Sequence, residues 1–206
     1  MRLLLLALVL VLALAACGGE SEDTAAPSPE TVTVTQTETV EPEEPAEPEV
    51  ECSTAGLRPD LSEQDLPVAV MDVRKRVFAA AVACDYETLE QIAVERGEGF
   101  TFSYGAGPND SAAAHWRELE ETGAEEPMRV LATILTLPYT RNESGSYAWP
   151  SAYSEAPTDE AWQALVDAGL YTEEELEAMR AGGTGYLGYR TAITADGDWQ
   201  FYVAGD

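Results

Sequence analysis

The side chains that most readily do chemistry in this chain are one histidine, three cysteines and 38 aspartates and glutamates. His115, beside Trp116, is the only side chain with an unperturbed pKa near neutrality. A Ser-His-Asp arrangement would have to use it. No G-x-S-x-G elbow occurs, however, and Ser103, Ser111 and Ser144 have no distinctive neighbours, so His115 reads as an ordinary helix residue. A single histidine also leaves no Cys/His metal spacing. In so acidic a chain a carboxylate pair suited to glycoside hydrolysis arises by chance. Glu118, Glu120, Glu121, Glu125 and Glu126, and the run Glu173 to Glu177, read as solvated helix faces. Asp196-Gly197-Asp198 lacks the remaining ligands of a calcium loop. Gly182-Gly183-Thr184-Gly185 lacks the phosphate-loop lysine, and Gly185-x-x-Gly188 is too short for a dinucleotide site. No residue is assigned a catalytic, cofactor-binding or metal-binding role, and no cofactor is implied.

The cysteines carry more. Cys17 closes the stretch MRLLLLALVLVLALAAC, in which Arg2 precedes an apolar run from Leu3 to Ala16. Those fourteen residues are too few to span a bilayer comfortably, and no stop-transfer charges follow, so residues 1–16 read as a secretory signal. Leu14-Ala15-Ala16-Cys17 resembles the lipobox of bacterial lipoprotein precursors, of actinobacterial type. The resemblance implies a diacylglycerol thioether on Cys17, cleavage before it, a palmitate-bearing anchor, and residence on the extracytoplasmic face of the cell membrane. The alternative is an ordinary signal peptide in which Cys17 is incidental. With Cys17 lipidated, Cys52 and Cys84 remain as an even pair in an oxidising compartment. A bridge between them closes a loop of about 30 residues, worth roughly 3 kcal/mol through restriction of the unfolded chain. The alternative is two buried free thiols. Asn109-Asp110-Ser111 and Asn142-Glu143-Ser144 fit the glycosylation sequon, but with a bacterial address they read as accidental.

Charge divides the remainder. Net charge is −27 overall, and residues 18–51 hold eleven acids and no base. Residues 52–206 hold the other 27 acids and ten bases, for −17. Nucleic acid and anionic headgroups are repelled by such a surface; it is compatible with cationic partners, with divalent ions, or simply with solubility in a salty medium, which is the favoured reading. Residues 17–51, rich in Thr, Pro and Glu and without an aromatic residue, read as a lipidated cysteine followed by an acidic, disordered tether. Its reach is about 30 Å as a flexible coil and about 100 Å as polyproline-like chain. Residues 52–206 form the globular domain.

Within that domain, Pro67 suits a helix start, and Val70, Val73, Val77, Ala81 and Cys84 recur at helical spacing. Asp85 caps a second helix bearing Leu89 and Ile92. Phe100 to Tyr104 alternates like a strand. Asp110 caps a helix through Thr122, closed by Gly123. Pro127 opens another, with Leu131, Ile134 and Leu135 inward. Tyr147 to Trp149 is a short strand stopped by Pro150. Thr158 caps a helix carrying Trp162, Leu165 and Val166, which stops at Gly169 with Leu170 folding back. Thr172 to Glu175 is a capping box opening a helix with Leu176 and Met179, ended by Gly182-Gly183. The chain closes with a β-hairpin whose three-residue loop ends at a left-handed Gly197. That register sets Tyr189, Thr191 and Ile193 beside Trp199, Phe201 and Val203 on one apolar face, and Arg190, Thr194, Asp198 and Gln200 on a polar one.

The fold class read from these elements is α+β: one domain of several short helices packed on a small antiparallel sheet with a C-terminal hairpin. RVFAAAVACDYETLEQIA (Arg76–Ala93), FTFSY (Phe100–Tyr104) and DGDWQFYV (Asp196–Val203) resemble the opening and last strand of the SnoaL-like, nuclear-transport-factor-like superfamily. The likeness implies a cone-shaped α+β fold with a pocket, found in enzymes and in binding proteins. The two helices between Thr158 and Arg180 depart from its pattern, and no catalytic residue maps. The many aromatics after Tyr139 are either the core or an exposed sugar-stacking surface, and the core is the favoured reading. The functional expectation is a membrane-anchored envelope lipoprotein with a non-catalytic binding or accessory role toward an envelope protein or glycan. The alternative is a pocket hydrolase or isomerase using carboxylate acid/base chemistry.

Overall fold

A computed structural model of the chain describes residues 52–96, 99–107 and 109–205. The chain divides into two units, Met1–Pro45 and Ala46–Asp206, and the described residues all belong to the second. The signal at 1–16, Cys17 and the tether through Glu51 lie outside them.

The recurrence beginning at Val70 forms α1 (Val68–Val82), with Val70, Val73, Val77, Ala80 and Ala81 inward. Its end takes an unusual residue. Cys84 N–H donates to the Ala81 carbonyl at 3.1 Å and Asp85 N–H to the Ala80 carbonyl at 2.9 Å, a double stop whose left-handed position normally holds glycine. Cys84 occupies it at φ 49°, with its side chain bonded to Cys52. The two cysteines form the expected disulfide, their Cα atoms 5.9 Å apart. Asp85 then caps α2 (Tyr86–Val94), accepting from the Thr88 hydroxyl at 2.6 Å and the Thr88 N–H at 3.0 Å. Those bonds hold its carboxyl below the ordinary value.

Helix α3 (Ala112–Thr122) ends at the expected left-handed Gly123 but starts on a different cap. Ser111 accepts from Ala114 N–H, whereas Asp110 turns back to Gly107 N–H at 2.7 Å. Helix α4 (Pro127–Ile134) opens on its proline and buries Met128, Leu131, Ala132 and Ile134. Caps at Thr158 and Thr172 open α5 (Asp159–Asp167) and α6 (Glu173–Gly182) as expected, the second through a complete capping box. Gly169 is left-handed, and Leu170 N–H returns to the Leu165 carbonyl at 3.0 Å.

The sheet is antiparallel, with β1 (Thr140–Arg141), β2 (Tyr147–Trp149), β3 (Arg190–Ile193) and β4 (Trp199–Val203) in spatial order β1-β2-β3-β4. With the helices it makes the α+β domain expected. The hairpin has the three-residue loop: Thr194 pairs with Asp198, Ile193 with Trp199, and Gly197 sits at φ 89°. Gly197 is also packed against α1, where a Cβ would stand 3.0 Å from the Ala69 carbonyl oxygen. Beyond Trp199 the register slips. Ala192 pairs with Phe201 and Thr191 with Tyr202, so Gln200 is the extra residue of a bulge. The bulge corrects the expected face: Tyr202 is fully buried, Phe201 is only half-buried, and Arg190 is buried instead of exposed. Beside it lies the stretch read as a strand at 100–104. Only Thr101 pairs there, in parallel, donating to the Gln200 carbonyl at 3.0 Å and accepting from Tyr202 N–H at 2.9 Å.

Two apolar clusters result. The larger joins α1 to α4 with the sheet around Trp116, Trp149, Trp199 and Tyr202. The smaller gathers Ala152, Ala161, Trp162, Leu165, Leu176 and Tyr186 under α5 and α6.

Candidate functional site

An open cavity bordered by charged side chains lies on the outer side of the smaller cluster. Thr158 and Thr172 fix where α5 and α6 begin, and Gly169 turns the chain so that the helices lie side by side. Between them runs an open groove of about 690 Å³. Trp162, Val166 and Leu176 supply its apolar lining, and Asp159, Gln163, Glu173, Glu177 and Arg180 its polar rim. Arg180 places its guanidinium 5.1 Å from the centroid of the Trp162 ring and 3.2 Å from the Asp159 carboxylate. The Asp159 side chain is 94% exposed, so this pair contributes little to stability and leaves the groove accessible. Glu173 and Glu177 make no ion pair among the described residues.

His115 stands elsewhere, half-buried on α3 with its ring 5.3 Å from Phe102. It borders a shallow hollow of about 540 Å³ with Asp110, Ser111 and Glu118. Both carboxylates are exposed there, and Asp110 is already engaged by Gly107 N–H. An acid/base pair at His115 would need a carboxyl sheltered from water, and this hollow does not shelter one. No group of three His, Cys, Asp or Glu residues able to hold a metal ion occurs among the described residues.

The aromatics turn inward. Trp149, Trp162, Trp199, Tyr147, Tyr186 and Tyr202 are all buried, so the sugar-stacking surface does not form from them. The Trp199 indole donates to Thr191 at 2.7 Å, the Trp149 indole to Gln64 at 3.1 Å, and the Tyr202 hydroxyl to the Pro127 carbonyl at 2.6 Å. Burial raises the pKa of Tyr202, Tyr186 and Tyr189; for Tyr189 the bond its hydroxyl gives Glu125 adds to the effect. At Gly188 a methyl group would run into the Tyr171 and Tyr186 hydroxyls, so only glycine fits.

Two acids expected on solvated faces have structural work. Glu120 accepts from the Ser53 hydroxyl and N–H and from Met128 N–H, clamping the entry of the domain to the start of α4. Glu125 receives Tyr189. Arg74, absent from the sequence reading, is buried in α1. It donates to the Leu135 carbonyl at 2.6 and 3.0 Å and to the Ser62 carbonyl at 3.0 Å. Burial pushes its guanidinium down to about 10, so it stays charged at neutral pH. An arginine on the inward stripe of α1, between Val70 and Val77, was the signal available.

Among the described residues no helix is long and apolar enough to cross a membrane. Compared with family models, curated proteins and solved structures, the chain gives no match.

Proposed function

We propose that this chain is a lipid-anchored lipoprotein of the cell envelope whose domain, residues 52–206, acts as a non-catalytic binding or accessory module. Cys17 carries the anchor, and the acidic segment after it acts as a spacer. The observation that carries the binding role is the α5–α6 groove: it is open, and two of its rim carboxylates, Glu173 and Glu177, make no ion pair among the described residues. Of the aromatic side chains that could bind sugar rings, Tyr147, Trp149, Trp162, Tyr186, Trp199 and Tyr202 are used in the core.

The experiment has two arms. Mass spectrometry of the mature amino-terminal peptide should find a diacylglyceryl group on Cys17, and Cys17→Ser should release the protein or leave it unprocessed. Two acyl chains, at about 0.8 kcal/mol per buried methylene, retain a protein where one is marginal. Unchanged membrane retention with normal processing of Cys17→Ser overturns the anchor. Photo-crosslinking in intact cells from single positions around the domain should capture a distinct envelope partner from at least one face. Capture from none overturns the binding role.

A further inference from the structure

We propose that Gly99–Tyr104 is a docking edge where an extended, cationic segment of a partner protein adds a strand to the sheet, a second surface for the binding-module reading. Thr101 uses one side of this stretch only: its N–H and its carbonyl both bond to β4. Neighbouring residues of an extended chain turn these groups to the opposite edge. Those of Phe100, and the N–H of Phe102, accordingly face away from β4 and meet no partner among the described residues. Folded proteins usually guard such an edge with charge or proline, and from Gly99 to Gly107 the chain has neither.

An open hollow of about 1,090 Å³ runs along the edge. Val94, at the end of α2, and Tyr104 line it; they are 64% and 59% exposed, two of the three large apolar side chains in solvent among the described residues. Phe100 and Phe102 complete its apolar wall. Free backbone groups call for a strand, and the wall gives alternate side chains of that strand a place to pack. Charge selects the occupant. Glu90 and Asp110 border the hollow, and no Lys or Arg does. A second copy of the domain brings −17, and the chain's own residues 18–51 bring eleven acids and no base. An extended segment with alternating apolar residues and basic ends fits both the edge and its charge.

The probe is a blocked synthetic peptide of about seven residues, a usual strand length, with valine and threonine alternating between terminal lysines. It is titrated against the full chain in zwitterionic nanodiscs by calorimetry and followed by amide exchange. Saturable single-site binding is expected, with the Phe100 and Phe102 amides exchanging freely before it and protected after it. Only one edge of a strand meets the sheet. N-methylating the peptide amides along that edge should weaken binding by about tenfold or more, and along the other edge by less than about twofold. Terminal glutamates in place of the lysines should weaken it by about tenfold. Val94→Lys should do the same, and its exposed position should leave the melting temperature unchanged. If that variant misfolds, the two methylated peptides still decide. Absence of binding or equal effects of the two methylations would overturn the proposal. So would amides already protected in the free chain, the sign of an edge held by a second copy or by the chain's own amino-terminal segment. A photo-crosslinker at Val94 is compared with one at Gln163. Capture from Gln163 alone overturns the edge and leaves the binding module standing; capture from neither overturns both.

Discussion

Around the sheet, four helices and the Phe100–Phe102 stretch close over the apolar side chains; around Trp162, one helix pair covers one side. In the larger cluster Phe100 lies 4.6 Å from Trp199, and Trp116 lies 6.0 Å from Trp199 and 5.8 Å from Tyr202, ring to ring. The Trp149 and Trp199 indoles and the Tyr202 hydroxyl each make their bond inside the domain. In the smaller cluster Trp162 meets Tyr186 edge-on at 6.0 Å, and on its other side lie Arg180 and the groove. Leu170 packs against both. The difference is one of support: the larger cluster joins four helices to the sheet, whereas the smaller rests on one helix pair and should loosen with less effect on the rest.

The comparison is sharpest where it predicts the largest loss. Trp199→Ala removes a ring from the sealed cluster and leaves Thr191 without its donor. It should cost about 3–5 kcal/mol, read as a shifted denaturant midpoint for the whole domain. A loss under 1 kcal/mol would mean the larger cluster is not what holds the fold. Breaking the disulfide in Cys52→Ser/Cys84→Ser should cost about 3 kcal/mol, by the loop it closes. Retained thermal stability in the double variant would contradict that.

Leu176→Ala acts on the smaller cluster, at about 2–3 kcal/mol. Hydrogen exchange should speed up through α5 and α6 while the amides of α1 and β3 remain protected; uniform acceleration would merge the two clusters into one cooperative unit. Tyr186 and Tyr202 probe both clusters through pH. Each ionises near its ordinary value of 10.0 when unfolded, and burial raises that value in the fold. Below that pH their contribution is fully present. Above it the unfolded state binds fewer protons, so stability falls by about 1.4 kcal/mol per pH unit for each tyrosine. Tyr186→Phe should remove one tyrosine's share of that alkaline slope, and an unchanged slope would place Tyr186 in water. Thr172→Ala takes away the capping box of α6 and should cost about 1 kcal/mol, confined to the same exchange signal.

Local chemistry was readable wherever one residue suffices. Thr158, Thr172, Asp85 and Gly169 start or stop helices by bonds within a turn, and the sequence places all four. Asp110 and Ser111 stand side by side as competing caps, and the choice went to Ser111 once Asp110 had Gly107 to hold. The hairpin loop was legible from Gly197, but the bulge after it was not. The bulge at Gln200 adjoins the bridge between Phe201 and Thr101, a distant segment that leaves no mark on the hairpin's own alternation. Strand β1 escaped because two residues cannot show a period. The groove was half legible: its helices follow from their caps, while their side-by-side placement depends on Leu170, Tyr171 and Tyr186 packing together.

The bond between Cys52 and Cys84 also decides how the domain bears load. Cys52 is the amino-terminal member of the pair, so a pull applied upstream of it reaches the bridge before it reaches residues 53–83. Without the bridge, tension would peel residues 53–66 away one contact at a time, starting with Ser53 at Glu120 and passing to Ser62 at Arg74. With it, the same tension passes covalently into the corner between α1 and α2. The segment after Cys52 is then a slack bypass, and the domain is towed as a block.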